Sequence, residues 1–379
     1  MHRSLMVFLL ALTSTCTLAW SSASRADAFT PAASLHQARF GHTATLLPSG
    51  KVLVVGGATA NDILGTAELY NPLTNSWATT GSLAHVRTYH TATLLPSGKV
   101  LVVGGVDGPN PLASAELYDP ATGVWTSAGS LVTPRAHHSA NLLQSGNVMV
   151  AFGTSGANGA TKLRSTEQYN PATNSWIVSP SAPHERAYHA AILQSNGWLL
   201  TFGGIDVSAV PLNDGVVFIP ANNGFAGPVG QLATARFAFT SNLLASAKIL
   251  AVGGLGASST ALATAESYDI AGNHWTSAGT MATTRWSHTA TELGNGKVLV
   301  VAGVDAGDAA LASAEFYDPG VNAWTAAPNL ATARAQHTAT LLTSGKVLIV
   351  GGQGAAPGYA ELAACELFSV DPIYKNGFD

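Results

Sequence analysis

Six copies of an Arg-x-x-His motif follow one another along the chain at intervals of about 50 residues. A seventh Arg keeps the interval, but a Phe stands three residues after it. Self-similarity at such a period is typical of repeat architectures, in which each repeat is one supersecondary unit. The 379-residue chain is therefore not expected to divide into independent domains. The motifs are Arg39/His42, Arg87/His90, Arg135/His138, Arg186/His189, Arg285/His288 and Arg334/His337, with Arg236/Phe239 as the exception.

Each repeat has the pattern of four short strands, and the second repeat illustrates it. Residues 90–98 form an alternating segment that ends in Ser-Gly, and residues 99–103 are almost continuously apolar and precede a Gly pair. Residues 115–118 precede an Asp-Pro turn, and Trp125 opens a fourth segment. Short β-branched and apolar runs between such turn residues predict strands and hairpins. Sustained helical periodicity does not occur, so we expect almost no helix.

Seven repeats of four antiparallel strands predict an all-β fold, a seven-bladed β-propeller. The Gly pair, the Tyr-Asn/Asp turn and the Trp resemble the kelch repeat, and this resemblance extends over residues 29–370. The chain is also distantly similar to the propeller of galactose oxidase. These residues recur as Gly56-Gly57, Tyr70-Asn71-Pro72 and Trp77, and again as Gly253-Gly254, Tyr268-Asp269 and Trp275. We expect an aromatic side chain to pack between each pair of neighbouring blades, with candidates at Trp77, Trp125, Trp176, Phe225, Trp275 and Trp324.

The two ends of the chain indicate how the ring of blades closes. Residues 29–35 align with the fourth strand of another repeat, residues 125–131, whereas the last repeat has no clear Trp strand of its own. We therefore predict that residues 29–35 pair with residues 366–370 and complete the last blade, which leaves no open sheet edge. In the alternative, residues 373–378 supply that strand. The remaining residues, 371–379, are predicted to form a short C-terminal tail.

The first 28 residues have the pattern of a secretory signal peptide. Arg3 precedes an apolar stretch, and Ala26-Asp27-Ala28 has the form of a cleavage site. We expect cleavage after Ala28 and a secreted or periplasmic protein. The apolar stretch is too short for a membrane span. Only Cys365 would remain after cleavage, so no internal disulfide is expected.

Composition excludes several classes of function. The chain is 47% hydrophobic and only 10% charged, which argues against disorder, and its formal net charge is −4. No basic cluster is present that would hold a phosphate backbone, so we expect no nucleic-acid partner. We expect a monomer without a cofactor or a bound metal. Scattered Asp residues in the loops lack the regular spacing of a calcium site.

The recurring charged residues predict a structural brace. The strand directions place the repeat Arg and a recurring Glu on one face, at the mouth of the central channel. The Glu recurs at Glu68, Glu116, Glu167, Glu266, Glu315 and Glu366. We expect these carboxylates to pair with the Arg side chains and the recurring His side chains to serve packing. Since the fourth repeat lacks the Glu, Arg186 or Arg236 is expected to be free for binding.

Function is expected where the repeats differ. The residues directly before the repeat His include a set that does not recur, at Tyr89, His137, Tyr188 and Gln336, and the position directly after the repeat Arg adds Trp286. Aromatic and polar side chains of this kind are typical of surfaces that grip a peptide or stack on a sugar. We therefore predict a binding protein that recognises a protein or carbohydrate partner through the face that carries the 4–1 and 2–3 loops. No catalytic residues are assigned.

Two enzymatic alternatives rest on resemblance. Residues 87–98, which include Tyr89 and His90, resemble the segment in which radical-copper oxidases place a Tyr and a His on copper. That family also needs a second Tyr cross-linked to Cys and a His from an additional C-terminal domain, whereas Cys365 here occupies a repeat position. The other alternative is a sugar epimerase, because a sialic-acid epimerase also has a kelch propeller. Fold alone does not establish either activity.

Overall fold

The computed structural model describes residues 27–355 and 359–370. Within these residues, seven four-stranded antiparallel sheets form the blades of a propeller. Blade one comprises Thr43–Leu46, Val52–Val55, Ala67–Asn71 and Ser76–Thr79, and blade two comprises Thr91–Leu94, Val100–Val103, Ser114–Asp119 and Val124–Ser130. Blade three comprises Ser139–Leu142, Val148–Ala151, Thr166–Asn170 and Ser175–Ser179, and blade four comprises Ala190–Leu193, Leu199–Phe202, Gly215–Ile219 and Gly224–Ala226. Blade five comprises Thr240–Leu243, Lys248–Val252, Thr264–Asp269 and His274–Thr280, and blade six comprises Thr289–Glu292, Val298–Val301, Ala314–Asp318 and Ala323–Ala327. Blade seven comprises Thr338–Leu341, Val347–Val350, Cys365–Ser369 and Ala28–Ala32.

The remaining elements lie in loops. Two small hairpins, Val106–Asp107 with Asn110–Pro111 and Thr154–Ser155 with Thr161–Lys162, extend the 2–3 loops of blades two and three. Three short 3-10 turns are formed by Ala157–Gly159, Pro220–Asn222 and Ala257–Ser259. This confirms the all-β expectation. No helix among the described residues has the length and apolarity that crossing a membrane requires.

The second strand of each blade forms the core. Val100–Val103 is completely buried, as are the equivalent strands of the other blades apart from the exposed Lys248 at the start of the blade-five strand, because both faces of each blade are covered by neighbouring blades. The first strands lie innermost, and each contacts the first strands of the two adjacent blades, so they form a closed ring around the channel. Four residues are enough for a strand in this position. In blade two these residues have the sequence Thr-Ala-Thr-Leu, and all four are partly buried, as expected beside a channel.

Aromatic side chains join neighbouring blades as predicted. The Trp77 ring packs on Tyr70 of the same blade with ring centroids 5.1 Å apart, and its indole N–H donates to the carbonyl oxygen of Ala33 in blade seven at 2.8 Å. The equivalent indoles donate to Gly81, Ala128, Gly230 and Ala278 of the preceding blades. Each Trp thus fills the junction and also satisfies a backbone carbonyl.

The N-terminal strand closes the ring, which confirms that prediction. Ala28–Ala32 pairs with Cys365–Ser369, and Phe29 lies 5.1 Å from Phe368, where five of the other blades have a Trp on a Tyr. The strand is shorter than predicted and starts one residue before the expected mature terminus. The signal peptide and residues 371–379, including the alternative closing strand, lie almost entirely outside the described residues, and the place in the sheet is filled by Ala28–Ala32.

Candidate binding surface at the channel mouth

The first face of the propeller, which carries the 4–1 and 2–3 loops, is braced by buried ion pairs. In blade two, Arg87 is completely buried and donates through Nη1 to the carbonyl oxygens of Gly104 and Ser114, at 2.7 and 3.0 Å. Its Nη2 donates to Glu116 at 2.8 Å. The second oxygen of Glu116 accepts the backbone N–H of Ala84 at 2.8 Å. Six blades have this Arg–Glu pair, which confirms its structural role.

Blade four departs from this pattern, and the expectation of a free Arg is wrong. Arg236 is fully buried and pairs with Glu266 at 2.8 Å, and Arg186 is 1% exposed and contacts both carboxylate oxygens of Asp214 at 3.4 Å. Asp214 stands where the other repeats have mostly Ser or Thr, two positions before the missing Glu. Pro183 occupies the position of Ala84, so the backbone N–H that the Glu would accept is missing too.

The repeat His side chains lie in the blade junctions. His90 is 5% exposed, and its Nε2 shares a hydrogen bond of 2.9 Å with the hydroxyl of Thr43 in the preceding blade. Burial, with the nearby Arg87 charge, lowers the pKa of His90 to about 3, so this imidazole is neutral at pH 7. Equivalent bonds join His42 to Thr338, His138 to Thr91, His189 to Ser139, His288 to Thr240 and His337 to Thr289. The packing role is therefore confirmed.

A ring of residues with left-handed backbone surrounds the mouth of the channel, directly before the repeat His. Six of the seven have a backbone N–H that donates to the carbonyl oxygen of the equivalent residue in the preceding blade, at 3.1 to 3.5 Å among the described residues. These contacts hold the backbone segments of equivalent residues side by side around the mouth, in a conformation that non-glycine residues seldom adopt. The residues, with φ between 50° and 60°, are Gly41, Tyr89, His137, Tyr188, Ala238, Ser287 and Gln336.

Three aromatic side chains of this ring stack on one another. The rings of Tyr89 and His137 lie 4.7 Å apart, and those of His137 and Tyr188 lie 4.2 Å apart in a stacked arrangement. Phe237 meets the far side of Tyr188 edge-on at 6.4 Å. Burial and the charge of Lys162 lower the pKa of His137 to about 4, and burial raises the pKa of both tyrosines. The stack is therefore uncharged at pH 7.

Gly41 allows the stack to continue across blade one. A Cβ atom at this position would collide with the Thr88 hydroxyl and press on the ring of Tyr89. Without it, Tyr89 reaches over blade one and donates its hydroxyl to Gln336 of blade seven at 2.9 Å. Gln336 in turn donates to Gln353 at 3.1 Å. The result is a polar and aromatic arc that runs from blade seven to blade five, here called the mouth arc, and it comprises Gln353, Gln336, Tyr89, His137, Tyr188 and Phe237.

The structure thus joins four of the predicted site residues and separates three. Tyr89, His137, Tyr188 and Gln336 are in contact, whereas Trp286 of blade six lies at the mouth outside the arc, and Arg186 and Arg236 are buried in braces. The sequence reasoning missed Phe237 and Gln353. Phe237 was visible as the aromatic neighbour of Arg236, at the position that Trp286 occupies in blade six. Gln353 lies in a variable loop and carried no signal.

The fold and the mouth arc define a repeat propeller whose recurring residues build the scaffold and whose exceptions form a surface. Two family models match the sequence: the KLHDC2/KLHL20/DRC7 Kelch-repeats domain over residues 9–204 and the Kelch motif over residues 248–282. Because the first match covers just over half of the chain, the protein belongs to the kelch-repeat family. No curated protein sequence matches it significantly.

Among solved structures, a fungal alcohol oxidase of the AA5 family, in complex with copper, is similar. The match has a TM-score of 0.75 and 18% sequence identity, and it covers 91% of this chain and 76% of that chain. At this identity the similarity shows the fold alone.

The residues of this chain do not fit a radical-copper centre. The hydroxyl of Tyr89 is bound to Gln336, whereas His90 is turned into a blade junction and bound to Thr43. Cys365 is buried in blade seven with its pKa raised to about 11, mainly by burial, and its thiol is directed at the carbonyl oxygen of Ala363. Within the described residues, no three His, Cys, Asp or Glu side chains are grouped as metal ligands. We derive no reaction step through copper.

Proposed function

We propose that this protein is an exported binding propeller that recognises a protein segment through the mouth arc. One observation carries the proposal: Tyr89, His137 and Tyr188, from three consecutive blades, form a partly exposed uncharged stack on strained backbone. None of the three belongs to the repeated set that builds the scaffold. Aromatic residues held rigidly in this way supply contact area at low entropic cost, as at protein interfaces. Kelch propellers are, moreover, commonly used to bind proteins.

The geometry of the stack favours a protein segment over a carbohydrate. The faces of the His137 ring are covered by Tyr89 and Tyr188, so a sugar ring would find few free aromatic faces there. The edges of these rings and hydrogen-bond donors near them remain available to a partner. Within residues 27–355 and 359–370, neither the Tyr188 hydroxyl nor the Trp286 indole N–H has a hydrogen-bond partner. Such donors suit backbone carbonyls of a bound segment.

The loops around the mouth arc add a charge preference. Asp62, Asp107 and Asp308 are exposed in the 2–3 loops of three blades and outnumber the basic residues Lys162 and Arg164 in that loop of blade three, while the mouth arc itself is uncharged at pH 7. Complementary charge steers association and fixes orientation. The partner segment is therefore proposed to carry apolar or aromatic residues at its centre and basic residues at its flanks.

A capture experiment tests the proposal. The purified chain and its Y89A/Y188A/W286A variant are used as bait for proteins of the source organism's cell surface and medium, with S287A as the control at an equivalent ring position. Ala fits the left-handed backbone, since Ala238 already adopts it. We expect a specific protein that the wild type and S287A retain and the triple variant loses. Undiminished capture by the triple variant would contradict a protein-binding role of this surface. If the triple variant instead loses binding to a glycan, the surface would be assigned to a carbohydrate partner.

The export part of the proposal is tested separately. Expression of the whole sequence followed by N-terminal sequencing of the secreted or periplasmic protein should give Phe29 as the first residue. Full-length protein retained in the cytoplasm would contradict export without affecting the binding proposal.

A further inference from the structure

Blade four breaks the repeat on the second face of the propeller, where the 1–2 and 3–4 loops lie. In the other blades, the hairpin between the first two strands begins with a buried Leu, at Leu47, Leu95, Leu143, Leu244, Leu293 and Leu342, and ends with Lys in five of the six. In blade four these positions are Gln194 and Trp198. The Trp198 side chain is 42% exposed, which is unusual for so large an apolar group.

These two residues line a cavity against blade five. Its volume is about 300 Å³, at the lower end of the range for small-molecule pockets. The fourth strand of blade four, Gly224–Ala226, has only three residues, whereas the others have four to seven. The equivalent cavity between blades five and six is smaller, at about 180 Å³. Pro228 and Ile270 supply apolar walls, and Asn273 lies on the blade-five side.

Gln194 is a largely buried residue whose amide has no partner among the described residues. The residue is only 4% exposed, and within the described residues its side chain makes no hydrogen bond. The amide atoms of Gln194 are not among the side-chain atoms that are shut off from solvent, so they are accessible from the cavity that the residue lines. The six equivalent leucines show that this position accepts an apolar side chain. The unsatisfied amide of Gln194, directed into a cavity, is therefore a group placed to bind a ligand.

Two further amides offer donors at the same cavity. Asn273 Oδ1 accepts the Tyr268 hydroxyl at 2.7 Å and the Gly230 N–H at 2.8 Å, and Asn196 Oδ1 accepts the Trp198 N–H at 2.9 Å. In the part of the chain that the structure describes, the amide nitrogens of both side chains have no acceptor. Of the residues equivalent to Asn273, Asn174 and Asn322 donate to the preceding blade, whereas Asn75 has the same Oδ1 contacts as Asn273.

We propose that this cavity binds a single neutral sugar residue, with Trp198 stacked on one face of the ring and the amides of Gln194, Asn196 and Asn273 bound to its hydroxyl groups. Among the described residues that line the cavity, none is charged, which argues against phosphorylated or acidic sugars. An indole with neutral amides matches a ligand that has an apolar face and a hydroxylated rim. The site is separate from the mouth arc and does not depend on the proposed function.

Substitutions that restore the repeat test the site without endangering the fold. In W198K and Q194L, each new residue is the one that most other blades have at that position. The probes are the methyl glycosides of glucose, galactose, mannose and N-acetylglucosamine, measured by saturation-transfer NMR and calorimetry on the whole protein. We expect one of them to bind, with affinity reduced at least tenfold by either substitution. S287A serves as the control and should bind as the wild type does.

Three results would overturn the proposal. The first is that none of the four glycosides binds at millimolar concentration. The second is that W198K binds with wild-type affinity. The third is that Q194L raises the midpoint of thermal unfolding while glycoside binding is unchanged. Gln194 would then be a residue that lowers stability without binding a ligand. Loss of protein capture by the mouth-arc variant, with glycoside binding retained, would separate this site from the proposed function.

Discussion

Arg87 donates to Glu116 across 2.8 Å in a site where Arg87 has no exposed surface and Glu116 is 4% exposed. The other Glu116 oxygen holds the backbone N–H of Ala84, so one carboxylate joins the segment before the first strand to the third strand of the same blade. The same geometry recurs in six blades, which orients each segment that connects one blade to the next. The brace thus sets the positions of the ring residues at the mouth.

Removing the carboxylate charge from a brace should be strongly destabilising. E116Q leaves the buried Arg87 cation uncompensated, and we expect the free energy of unfolding to fall by about 3–5 kcal/mol. D214N in blade four should cost less than half as much, because the contacts of Asp214 are 3.4 Å long and its side chain is 32% exposed. Urea unfolding of both variants measures this. Equal losses would show that the blade-four brace is as strong as the others.

Stability should fall on acidification from pH 6.5. Burial lowers the pKa of the six junction histidines, to about 3 for His90, His189 and His288. Their ordinary pKa is about 6.5, so between these values the unfolded chain binds more protons than the native one, and the stabilisation present above pH 6.5 is lost as the pH falls. Each histidine contributes up to about 1.4 kcal/mol per pH unit.

The prediction is checked by urea unfolding at pH 7.5, 6.5, 5.5 and 4.5, and a variant that lacks one histidine separates the histidine contribution from that of carboxylates, which titrate near pH 4. H90F removes one of the titrating groups and should have a shallower dependence than the wild type. A free energy of unfolding that is constant from pH 7.5 to 4.5 would contradict the neutral, buried state of these side chains.

The junction between blades four and five predicts that His90 and Thr43 are energetically coupled. There, Phe239 replaces the His and Ala190 replaces the Thr, so the chain has lost both partners of the bond together. The ring of Phe239 lies against Gly203 as that of His90 lies against Gly56, which shows that a Phe fits the same space. T43A/H90F should therefore be less destabilising than the sum of the single substitutions, by about 1 kcal/mol. Exact additivity in a double-mutant cycle would contradict the coupling.

The scaffold was predictable because each of its residues recurs. Seven Arg positions fixed the number of blades, and the alignment of residues 29–35 with a fourth strand predicted the closure. The partner of Arg186 was not predictable, since Asp214 lies two positions away from the missing Glu and only the folded loop brings it within reach. A departure from the repeat shows that a contact has changed, but not what replaces it.

Four of the six residues of the mouth arc were predicted from the sequence, but their contacts were not. Tyr89 and Gln336 stood out as exceptions, yet their contact spans two blade junctions and depends on the missing side chain at Gly41. The left-handed backbone of the ring comes from hydrogen bonds between blades, which no single repeat encodes. Sequence differences among repeats therefore identify candidate residues, whereas their contacts follow from the closed ring.

Removal of the N-terminal strand should open this ring. A chain that starts at residue 36 leaves the indole N–H of Trp77 without its acceptor, Phe368 without Phe29, and an unpaired edge on Cys365–Ser369. We expect a lower midpoint of thermal unfolding, which a synthetic peptide of residues 27–35 raises in proportion to the logarithm of its concentration, because the peptide binds only the native edge. The same peptide with Phe29→Ala should need a higher concentration for the same effect. Unchanged unfolding of the truncated chain, or equal rescue by both peptides, would mean that blade seven is stable with three strands and that closure depends on the contacts between first strands alone.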